Sequence, residues 1–221
     1  MKTLMLLTYF VNKIILVPFK ESDSKIRSGI MIICLVRHGE TDWNKLGKLQ
    51  GSSDIPLNET GIMQATMAAH ALKDAGYEIV VTSPLTRAKQ TAQIIADLGG
   101  LSLIEMDAFK ERSFGNAEGL LKEEREQLYP DNKFPNLESY QDLAARLRNG
   151  LTEVTKLPYE KVIVVAHGAA INCILAIFSN FEIGSGKTVL LNACTSIITY
   201  ENEEWKIESY NNVSHLQVAV K

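Results

Sequence analysis

The sequence predicts an α/β fold in which helices cover both faces of a mostly parallel central sheet. Short apolar runs rich in β-branched residues alternate with longer segments of helical periodicity, and the chain closes on a hairpin. This alternation is typical of sheets whose parallel strands are joined by helices. Polar side chains directly follow several predicted strands, and such sheets bind ligands beyond the carboxyl ends of their strands. We therefore expect one functional site along that edge.

The composition excludes several kinds of protein. The chain of 221 residues is long enough for one domain with a sizeable core, and its 46% apolar and 22% charged residues are typical of soluble globular proteins. A formal net charge of −3 argues against bulk binding of nucleic acid. The cysteines lie in apolar runs without a Cys-x-x-Cys pair, which favours reduced thiols, a cytoplasmic location and no metal site: Cys34, Cys173 and Cys194.

Residues 1–30 are interpreted as an extension in front of a domain that spans residues 31–221. Leu4 to Val17 is mostly apolar, but a polar Asn-Lys pair interrupts it, and the run is shorter than the ~20 residues that cross a bilayer. The extension is a start assigned too early, an extra element docked on the domain, or a membrane-associating segment. Because Met31 begins the first strand and could itself be the start, we favour the first two interpretations and expect no stable membrane association.

The first predicted strand, Met31 to Val36, leads into the stretch Leu-Val-Arg-His-Gly-Glu-Thr-Asp-Trp-Asn. Arg37 and His38 directly follow this strand, and Gly39 frees the backbone to turn. The forked, permanently charged guanidinium of Arg37 matches phosphate oxygens. Imidazole is a nucleophile near neutral pH when one ring nitrogen is free. An Arg-His-Gly tripeptide alone is weak evidence, so this interpretation depends on the rest of the chain.

A second strand, Tyr77 to Thr82, leads into the stretch Ser-Pro-Leu-Thr-Arg-Ala-Lys-Gln-Thr-Ala. Pro84 suits the first position of a helix, with Ser83 as its N-cap. Arg87 would then lie one turn into the helix, close to an N-terminus that favours anions. On this pattern alone, Arg87 is more often a solvated surface arginine, so its role depends on the rest of the chain.

Two further strands also lead into residues capable of chemistry. Leu101 to Asp107 is followed by Phe-Lys-Glu-Arg-Ser-Phe-Gly-Asn-Ala-Glu-Gly, which contains Glu111. After two predicted helices, the apolar strand Lys161 to Ala166 delivers His167 and a glycine. A single histidine after a strand is usually structural, but this second His-Gly turn repeats the pattern at His38.

The remaining segments complete the alternation. A helix capped by Asn58 or Thr60 follows the first loop. The stretch Ile183-Gly-Ser-Gly-Lys-Thr resembles a nucleotide-binding loop, but it lacks the first glycine of that motif and follows a helix, so we reject this interpretation. The chain closes on a strand over Leu190–Tyr200 that pairs with Trp205–Tyr210.

Taken together, these stretches resemble the motifs of the histidine phosphatase superfamily, and in particular its phosphoglycerate mutase branch. The resemblance extends from Met31 to about Leu216. It implies a three-layer sandwich of the phosphoglycerate mutase type, a phosphohistidine intermediate, and catalysis without a metal ion or other cofactor. Ala166 and Ala169 replace a serine and a glycine of the family pattern, changes that we expect to spare the imidazole of His167.

The resemblance also implies roles for individual residues. His38 would be the nucleophile, and Glu111 the proton donor and acceptor. Positive charge for the transferred phosphoryl group would come from two arginines and a protonated His167. The expected catalytic residues are Arg37, His38, Arg87, Glu111 and His167. The expected substrate-binding residues are Arg37, Asn44, Gln50, Gly51, Arg87 and His167.

The sequence favours a phosphatase acting on a small phosphorylated metabolite. Mutases of the family carry a long insertion with extra basic residues between the acid and the second histidine, whereas the span from Glu111 to His167 is short and its basic residues look like surface charges. Two family glycines are replaced before Glu138, so this residue is given no role, and His215 is expected to be structural. A phosphoglycerate mutase and a catalytically silent binding domain remain alternatives, and a homodimer is left open.

Overall fold

The computed structural model describes residues 29–217, so the predicted extension over residues 1–30 lies outside the described part except for its last two residues. A six-stranded sheet forms the centre of the molecule. Its strands are β1 (Met31–Arg37), β2 (Ile79–Thr82), β3 (Ser102–Glu105), β4 (Lys161–Ala166), β5 (Thr195–Glu201) and β6 (Glu204–Asn212).

The sheet has the order β3-β2-β4-β1-β5-β6. The first four of these strands are mutually parallel, β5 is antiparallel to β1, and β6 is antiparallel to β5. The predicted fold class is therefore confirmed. Because β1 and β4 are neighbours at the centre, the segments that follow them emerge side by side at one edge of the sheet.

Helices connect the strands and cover both faces of the sheet. They are α1 (Asp42–Lys45), α2 (Glu59–Leu72), α3 (Thr86–Gly99), α4 (Lys122–Leu128), α5 (Tyr140–Thr155) and α6 (Gly168–Phe178). Short 3-10 turns lie at Asp107–Phe109, Gly115–Ala117 and Ser214–Leu216. Within residues 29–217, no helix is both long and apolar enough to cross a membrane.

Alternating side chains of β1 divide the interior into two cores. Ile33 and Leu35 pack with α5 and α6 on one face, whereas Cys34 and Val36 pack with α2 and α3 on the other. All four are fully buried. Burial of such a side chain stabilises the fold by roughly 1.5–3 kcal/mol, so the two cores hold the strand ends firmly from both sides.

The cysteines lie in these cores, as predicted. All three are free and buried. Burial raises the pKa of Cys34 to about 12 and that of Cys194 to about 11, so both stay protonated near neutral pH.

The turn after β1 packs against the start of α2 through a pair of glycines. A Cβ on Gly39 would lie 2.3 Å from the carbonyl oxygen of Gly61, and a Cβ on Gly61 would lie 2.1 Å from the carbonyl oxygen of Glu40. Both positions therefore require glycine because two backbones meet, a stronger demand than the freedom to turn predicted at Gly39. Of the two predicted caps, Asn58 is the one used, since its side chain accepts from the Gly61 N–H at 2.9 Å.

Helix α3 starts later than the sequence predicts. It begins at Thr86 rather than Pro84, and its N-cap position is Leu85. The N–H and the hydroxyl of Thr86 both donate to the carboxylate of Asp54, each at 2.7 Å. The cap is thus supplied by a loop distant in sequence, and Ser83, the predicted cap, is left for another interaction.

The last predicted strand also starts later, at Thr195 instead of Leu190. Ala193 has a φ of 55°, a left-handed conformation that no strand accommodates. Its N–H donates to the carbonyl oxygen of His38 at 3.2 Å, and the N–H of Arg37 donates to that of Cys194 at 3.1 Å. Residues 190–194 therefore form a loop that packs against the turn after β1.

Candidate active site

The ends of β1 and β4 bring two histidines together. Arg37 is paired with Ala166 in the parallel register, so His38 and His167, the residues that follow, lie side by side with their ring centroids 5.1 Å apart. The N–H of His38 donates to the carbonyl oxygen of Ala166 at 3.0 Å, which ties one turn to the other. Both rings are buried.

His38 is held in a tautomer suited to attack. Its Nδ1 lies 2.7 Å from the carbonyl oxygen of Gly39, and since a carbonyl can only accept, Nδ1 carries the proton and Nε2 keeps its lone pair. Burial lowers the pKa of His38 well below its usual value, the neighbouring Arg87 and Arg37 lower it further, and the bond to Gly39 opposes them. The ring is therefore neutral at neutral pH.

Arg87 lies beside His38 and is fully buried. Its Nε–H donates to Nε2 of His38 at 3.3 Å. Its other two nitrogens donate to the carbonyl oxygens of Ser53, at 2.8 Å, and Gly51, at 2.7 Å. Burial lowers the pKa of Arg87 to about 10, so the guanidinium remains charged near neutral pH. Gly51, a predicted substrate-binding residue, thus contributes a carbonyl oxygen that positions this arginine.

Arg37 provides a second cation beside His38. One of its terminal nitrogens donates to the carbonyl oxygen of Leu190. Its Nε is buried and has no hydrogen-bond partner among residues 29–217. Burial lowers the pKa of Arg37, whereas the charge of Glu111 raises it. A buried donor without a partner costs about 1–3 kcal/mol, which an anion bound here would recover.

His167 is oriented by Ser83, which the sequence assigned to the helix cap instead. The Nε2 of His167 lies 2.8 Å from the Ser83 hydroxyl oxygen, and that oxygen already accepts from the N–H of Leu85 at 3.3 Å. Within residues 29–217 the Ser83 hydroxyl proton has no other acceptor than Nε2, so we assign the proton of the neutral ring to Nδ1.

The expected protonated form of His167 does not hold for the empty site. Burial lowers its pKa well below the usual value, and the charge of Arg87 lowers it further. Its Nδ1 is buried and finds no hydrogen-bond partner in the described part of the chain. His167 therefore presents a neutral N–H donor.

The carboxylate of Glu111 packs against the N-terminus of α6. Its Oε1 accepts from the N–H groups of Ala170 and Arg112, both at 2.9 Å, and its Oε2 from the N–H of Ala169 at 3.0 Å. Burial raises the pKa of Glu111, whereas these bonds and the charge of Arg87 lower it. Because Oε1 uses both of its lone pairs, Oε2 is the atom that can carry a transferable proton.

The backbone of Glu111 is held from behind by an ion pair. Arg146 on α5 donates to the carbonyl oxygens of Ala108, Lys110 and Glu111 at 2.9, 2.7 and 3.0 Å. The same guanidinium donates to both carboxylate oxygens of Glu138, at 2.6 and 2.9 Å. Glu138, which the sequence left without a role, therefore holds Arg146 in place, and Arg146 holds the backbone of Glu111.

Asn44 and Gln50 share a network on the wall of the site. The Oε1 of Gln50 accepts from the Thr41 hydroxyl at 2.7 Å and more weakly from Asn44 Nδ2 at 3.5 Å. The Oδ1 of Asn44 accepts from Nδ2 of Asn192 at 3.1 Å. Nε2 of Gln50 is buried and unpaired within the described residues. Asn192 belongs to the loop that the sequence read as a strand, so nothing in the sequence predicted it here.

Arg37, His38 and Glu111 line a cleft of about 470 Å³, within the range of small-molecule sites, and Arg87 and His167 lie against His38 beneath its surface. We call the following set the floor: the half-buried Arg37 and the buried His38, Arg87, Glu111 and His167. We call the more exposed set that lines the rest of the cleft the outer wall: Lys48, Phe114, Arg125, Thr188 and Val189.

Other features of the described residues carry no comparable chemistry. A second depression of about 530 Å³ lies between the end of α6 and β6, and none of the predicted site residues lines it. Among residues 29–217, no group of three or more His, Cys, Asp or Glu side chains could hold a metal ion. His215 donates to or accepts from nothing on the floor, and its Nε2 lies 3.0 Å from the carbonyl oxygen of Ala193.

Comparison with protein families and curated proteins gives consistent matches. The family described as the histidine phosphatase superfamily (branch 1) matches residues 33–213. An uncharacterized phosphatase, PhoE of Bacillus subtilis (strain 168), is 50% identical over 86% of this chain and 98% of its own length. A metal-independent phosphoserine phosphatase of Arabidopsis thaliana is 36% identical over 90% and 89%. A probable phosphoglycerate mutase, GpmB of Yersinia pestis (strain Pestoides F), is 33% identical over 84% and 95%.

Solved structures share the architecture. A mycobacterial glucosyl-3-phosphoglycerate phosphatase in complex with VO3 superposes with a TM-score of 0.76 at 26% identity, covering 83% of this chain and 100% of that one. A phosphoglycerate mutase from Bacillus anthracis str. Sterne superposes with a TM-score of 0.73 at 22% identity, covering 86% and 96%.

Proposed function

The chain belongs to branch 1 of the histidine phosphatase superfamily, and from this we propose that it hydrolyses a small phosphomonoester through a phosphohistidine on His38. The observation that carries the proposal is the tautomer of His38. Its Nδ1 proton is donated to Gly39, so Nε2 carries the lone pair that would attack phosphorus once the Arg87 N–H that it accepts is redirected to the substrate. The cations and unpaired donors of the floor surround this atom.

In the first step, His38 Nε2 attacks phosphorus and the bond from phosphorus to the ester oxygen breaks. In the empty site the Nε–H of Arg87 donates to this Nε2. With substrate bound, it would donate to a phosphoryl oxygen instead. Negative charge spread over the phosphoryl oxygens would be stabilised by Arg37, Arg87 and the N–H of His167. The departing alkoxide would take a proton from Oε2 of Glu111.

In the second step, water attacks the phosphoryl group on His38. Glu111, now ionised, accepts a proton from that water, and the phosphorus–nitrogen bond breaks. Inorganic phosphate leaves, and His38 regains its neutral form with the Nε2 lone pair. Bound phosphate favours the protonated state of Glu111, because a neighbouring negative charge adds to the effect of burial on its pKa.

Trapping the intermediate tests the proposal. A ³²P-labelled phosphomonoester, mixed with enzyme and quenched early, should leave label that is stable in base and labile in acid, and peptide mapping should place it on His38. His38→Ala should lose the label and all turnover. His70→Ala is the matched control, since His70 lies exposed on α2, away from the cleft. Label on His167 or on a serine would contradict the assignment, and no phosphate release from a broad panel of phosphomonoesters would favour a silent binding domain.

A further inference from the structure

Two cations of the outer wall, Lys48 and Arg125, have no ionic partner. Within residues 29–217, neither lies within 4.0 Å of a carboxylate oxygen. The ammonium of Lys48 lies 5.8 Å from the ring centroid of Trp43, and one terminal nitrogen of Arg125 donates to the carbonyl oxygen of Leu120 at 3.1 Å. Both side chains are half-buried in the cleft.

The backbone places these cations on one rim. The N–H of Leu49 donates to the carbonyl oxygen of Leu120 at 3.0 Å, and the N–H of Gly119 donates to that of Leu49 at 2.8 Å. Leu120 thus accepts both from the neighbour of Lys48 and from Arg125 itself. The two cations are more than seventy positions apart in sequence, yet this pairing makes their segments neighbours.

A carboxylate beneath this rim holds it in place. Glu118 accepts from the N–H and hydroxyl groups of Ser52 and Ser53 at 2.5–3.0 Å, and from the N–H of Phe114 at 3.0 Å. These donors stabilise the negative charge of Glu118, which therefore does not pair with Lys48 or Arg125. The outer wall therefore keeps its positive charge on a framework that is ordered before any ligand binds.

The cleft also carries more positive charge than one phosphoryl group requires. Of the described residues that line it, Glu111 alone is acidic, and backbone N–H groups already occupy its oxygens. The phosphoryl group would be neutralised by Arg37 and Arg87 on the floor. Two further cations held together without a counter-ion raise the energy of the empty cleft, and an anion would lower it.

We propose that Lys48 and Arg125 form a subsite for a second anionic group, a carboxylate or a phosphate, on the phosphomonoester substrate. This inference rests on the proposed function, since it assumes that the first phosphoryl group occupies the floor. It gives a chemical class of substrate: small phosphorylated acids or bisphosphates in preference to phosphorylated alcohols. Exposed ion pairs are weak, so each cation should change kcat/KM about two- to fivefold and both together about tenfold.

Matched substrates test the subsite. Glycerol 1-phosphate, 3-phosphoglycerate and glycerol 1,3-bisphosphate share a three-carbon skeleton, and sorbitol 6-phosphate with 6-phosphogluconate gives a longer pair. The wild type should prefer the members with a second anion, and the carboxylate and phosphate arms identify which anion is taken. The double variant Lys48→Met/Arg125→Met should lose about tenfold in kcat/KM with those members alone. Added salt should weaken the wild-type preference in the same way.

Neighbouring lysines provide the controls. Lys45 lies exposed at the end of α1, and Lys122 pairs with Glu126 on α4, the same helix as Arg125. Lys45→Met and Lys122→Met should leave the substrate ratio unchanged.

Two outcomes would overturn the subsite: a wild type indifferent to the second anion in both series, or a double variant that slows all five substrates equally. If none of the esters is hydrolysed, the proposed function fails instead. Calorimetric titration of the same five ligands into His38→Ala then decides the subsite, which requires the same order of affinities and its loss on substitution of Lys48 and Arg125.

Discussion

The floor and the outer wall of the cleft differ in burial and in the elements that carry their residues. Arg87 on the floor is fully buried and each of its nitrogens has a protein acceptor, whereas Val189 on the outer wall is 82% exposed. Four floor residues stand at a strand end or at the start of a helix, and Glu111 lies in a loop that α6 and Arg146 hold by hydrogen bonds. Outer-wall residues come from loops and from the short helix α4. From this contrast we expect the floor to perform the proposed chemistry and the outer wall to select among esters.

Glu111→Gln should have the largest effect and would sharpen this contrast. The amide keeps the shape but cannot transfer a proton, so formation of the phosphohistidine from an alkyl phosphate should slow by about 10²–10⁴-fold. For p-nitrophenyl phosphate, whose phenolate leaves unaided, the burst rate should change much less. Rapid-quench measurement of the burst separates this step from hydrolysis of the intermediate, which also uses Glu111.

Glu118→Gln is the matched control for that experiment. Its oxygens are bonded to Ser52 and Ser53 beneath the outer wall, so any loss should be equal for the two esters. Equal losses in burst rate on substitution of Glu111 would mean that this carboxylate positions the substrate, and the floor would then lack its acid.

Ser83→Ala should have an intermediate effect, because it removes a positioning bond and leaves every charge in place. Without the hydroxyl, His167 can place its proton on either nitrogen, and the N–H donor toward the phosphoryl group is no longer fixed. We expect kcat to fall about tenfold, below the 10²–10³-fold that removal of a transition-state donor costs. Nitrogen NMR shifts should report a mixed tautomer of His167.

Thr82→Val controls for the neighbourhood of Ser83. Thr82 is equally buried, and its hydroxyl donates to the carbonyl oxygen of Ser83 at 3.0 Å without contacting His167. If this variant reproduces the tautomer change, then local packing orients the ring and Ser83 does not.

The pH dependence of stability should report the burial of the floor. The pKa values of His38 and His167 lie well below 6.5 in the fold, so the unfolded chain binds more protons as the pH falls below that value. Stability is therefore full above pH 6.5 and decreases below it, by up to about 1.4 kcal/mol per pH unit for each histidine. Denaturant unfolding between pH 6.5 and 5 measures this slope. It should become less steep in His167→Gln, because only His38 then contributes, and should persist in His70→Gln. An unchanged slope in His167→Gln would mean that the ring of His167 is solvated in the fold.

The smallest expected effect is that of a chelator, which should leave turnover unchanged. The positive charge of the floor comes from guanidinium groups, and a chelator cannot remove them. Activity on an alkyl phosphate with and without EDTA checks this. Loss of activity that a divalent ion restores would contradict the account of the floor given above.

Much of the floor could be predicted because its residues follow strands directly. Apolar β-branched runs located β1, β2 and β4, and parallel pairing then brings Arg37, His38 and His167 to one edge. Arg87 was assigned through the resemblance of its segment to a family motif, and the predicted start of its helix was misplaced. The cap supplied by Asp54 lies more than thirty positions away, and local propensity does not report such contacts.

What could not be predicted depends on contacts between distant segments. The Arg146–Glu138 pair and the loop that carries Asn192 are defined by tertiary packing, and a left-handed residue broke the strand that the apolar pattern of residues 190–194 indicated. Arg125 looked like a surface charge because the sequence does not show which face of α4 meets the cleft. The outer wall is thus hidden from a single sequence because tertiary contacts decide where its loops and α4 lie.

The hydrogen bond from Arg87 to His38 should lower the reactivity of His38 in the empty site. The lone pair needed for attack is covered by an N–H, so the nucleophile is masked until something draws the guanidinium away. A dianion can do this, because it offers Arg87 a stronger acceptor than imidazole. A neutral electrophile is a weaker acceptor for Arg87, so Nε2 of His38 stays hydrogen-bonded and is a weaker nucleophile toward it. We therefore expect a phosphorylated substrate to free Nε2 of His38 by binding Arg87. A reagent that alkylates histidine should react slowly with His38 while the cleft is empty.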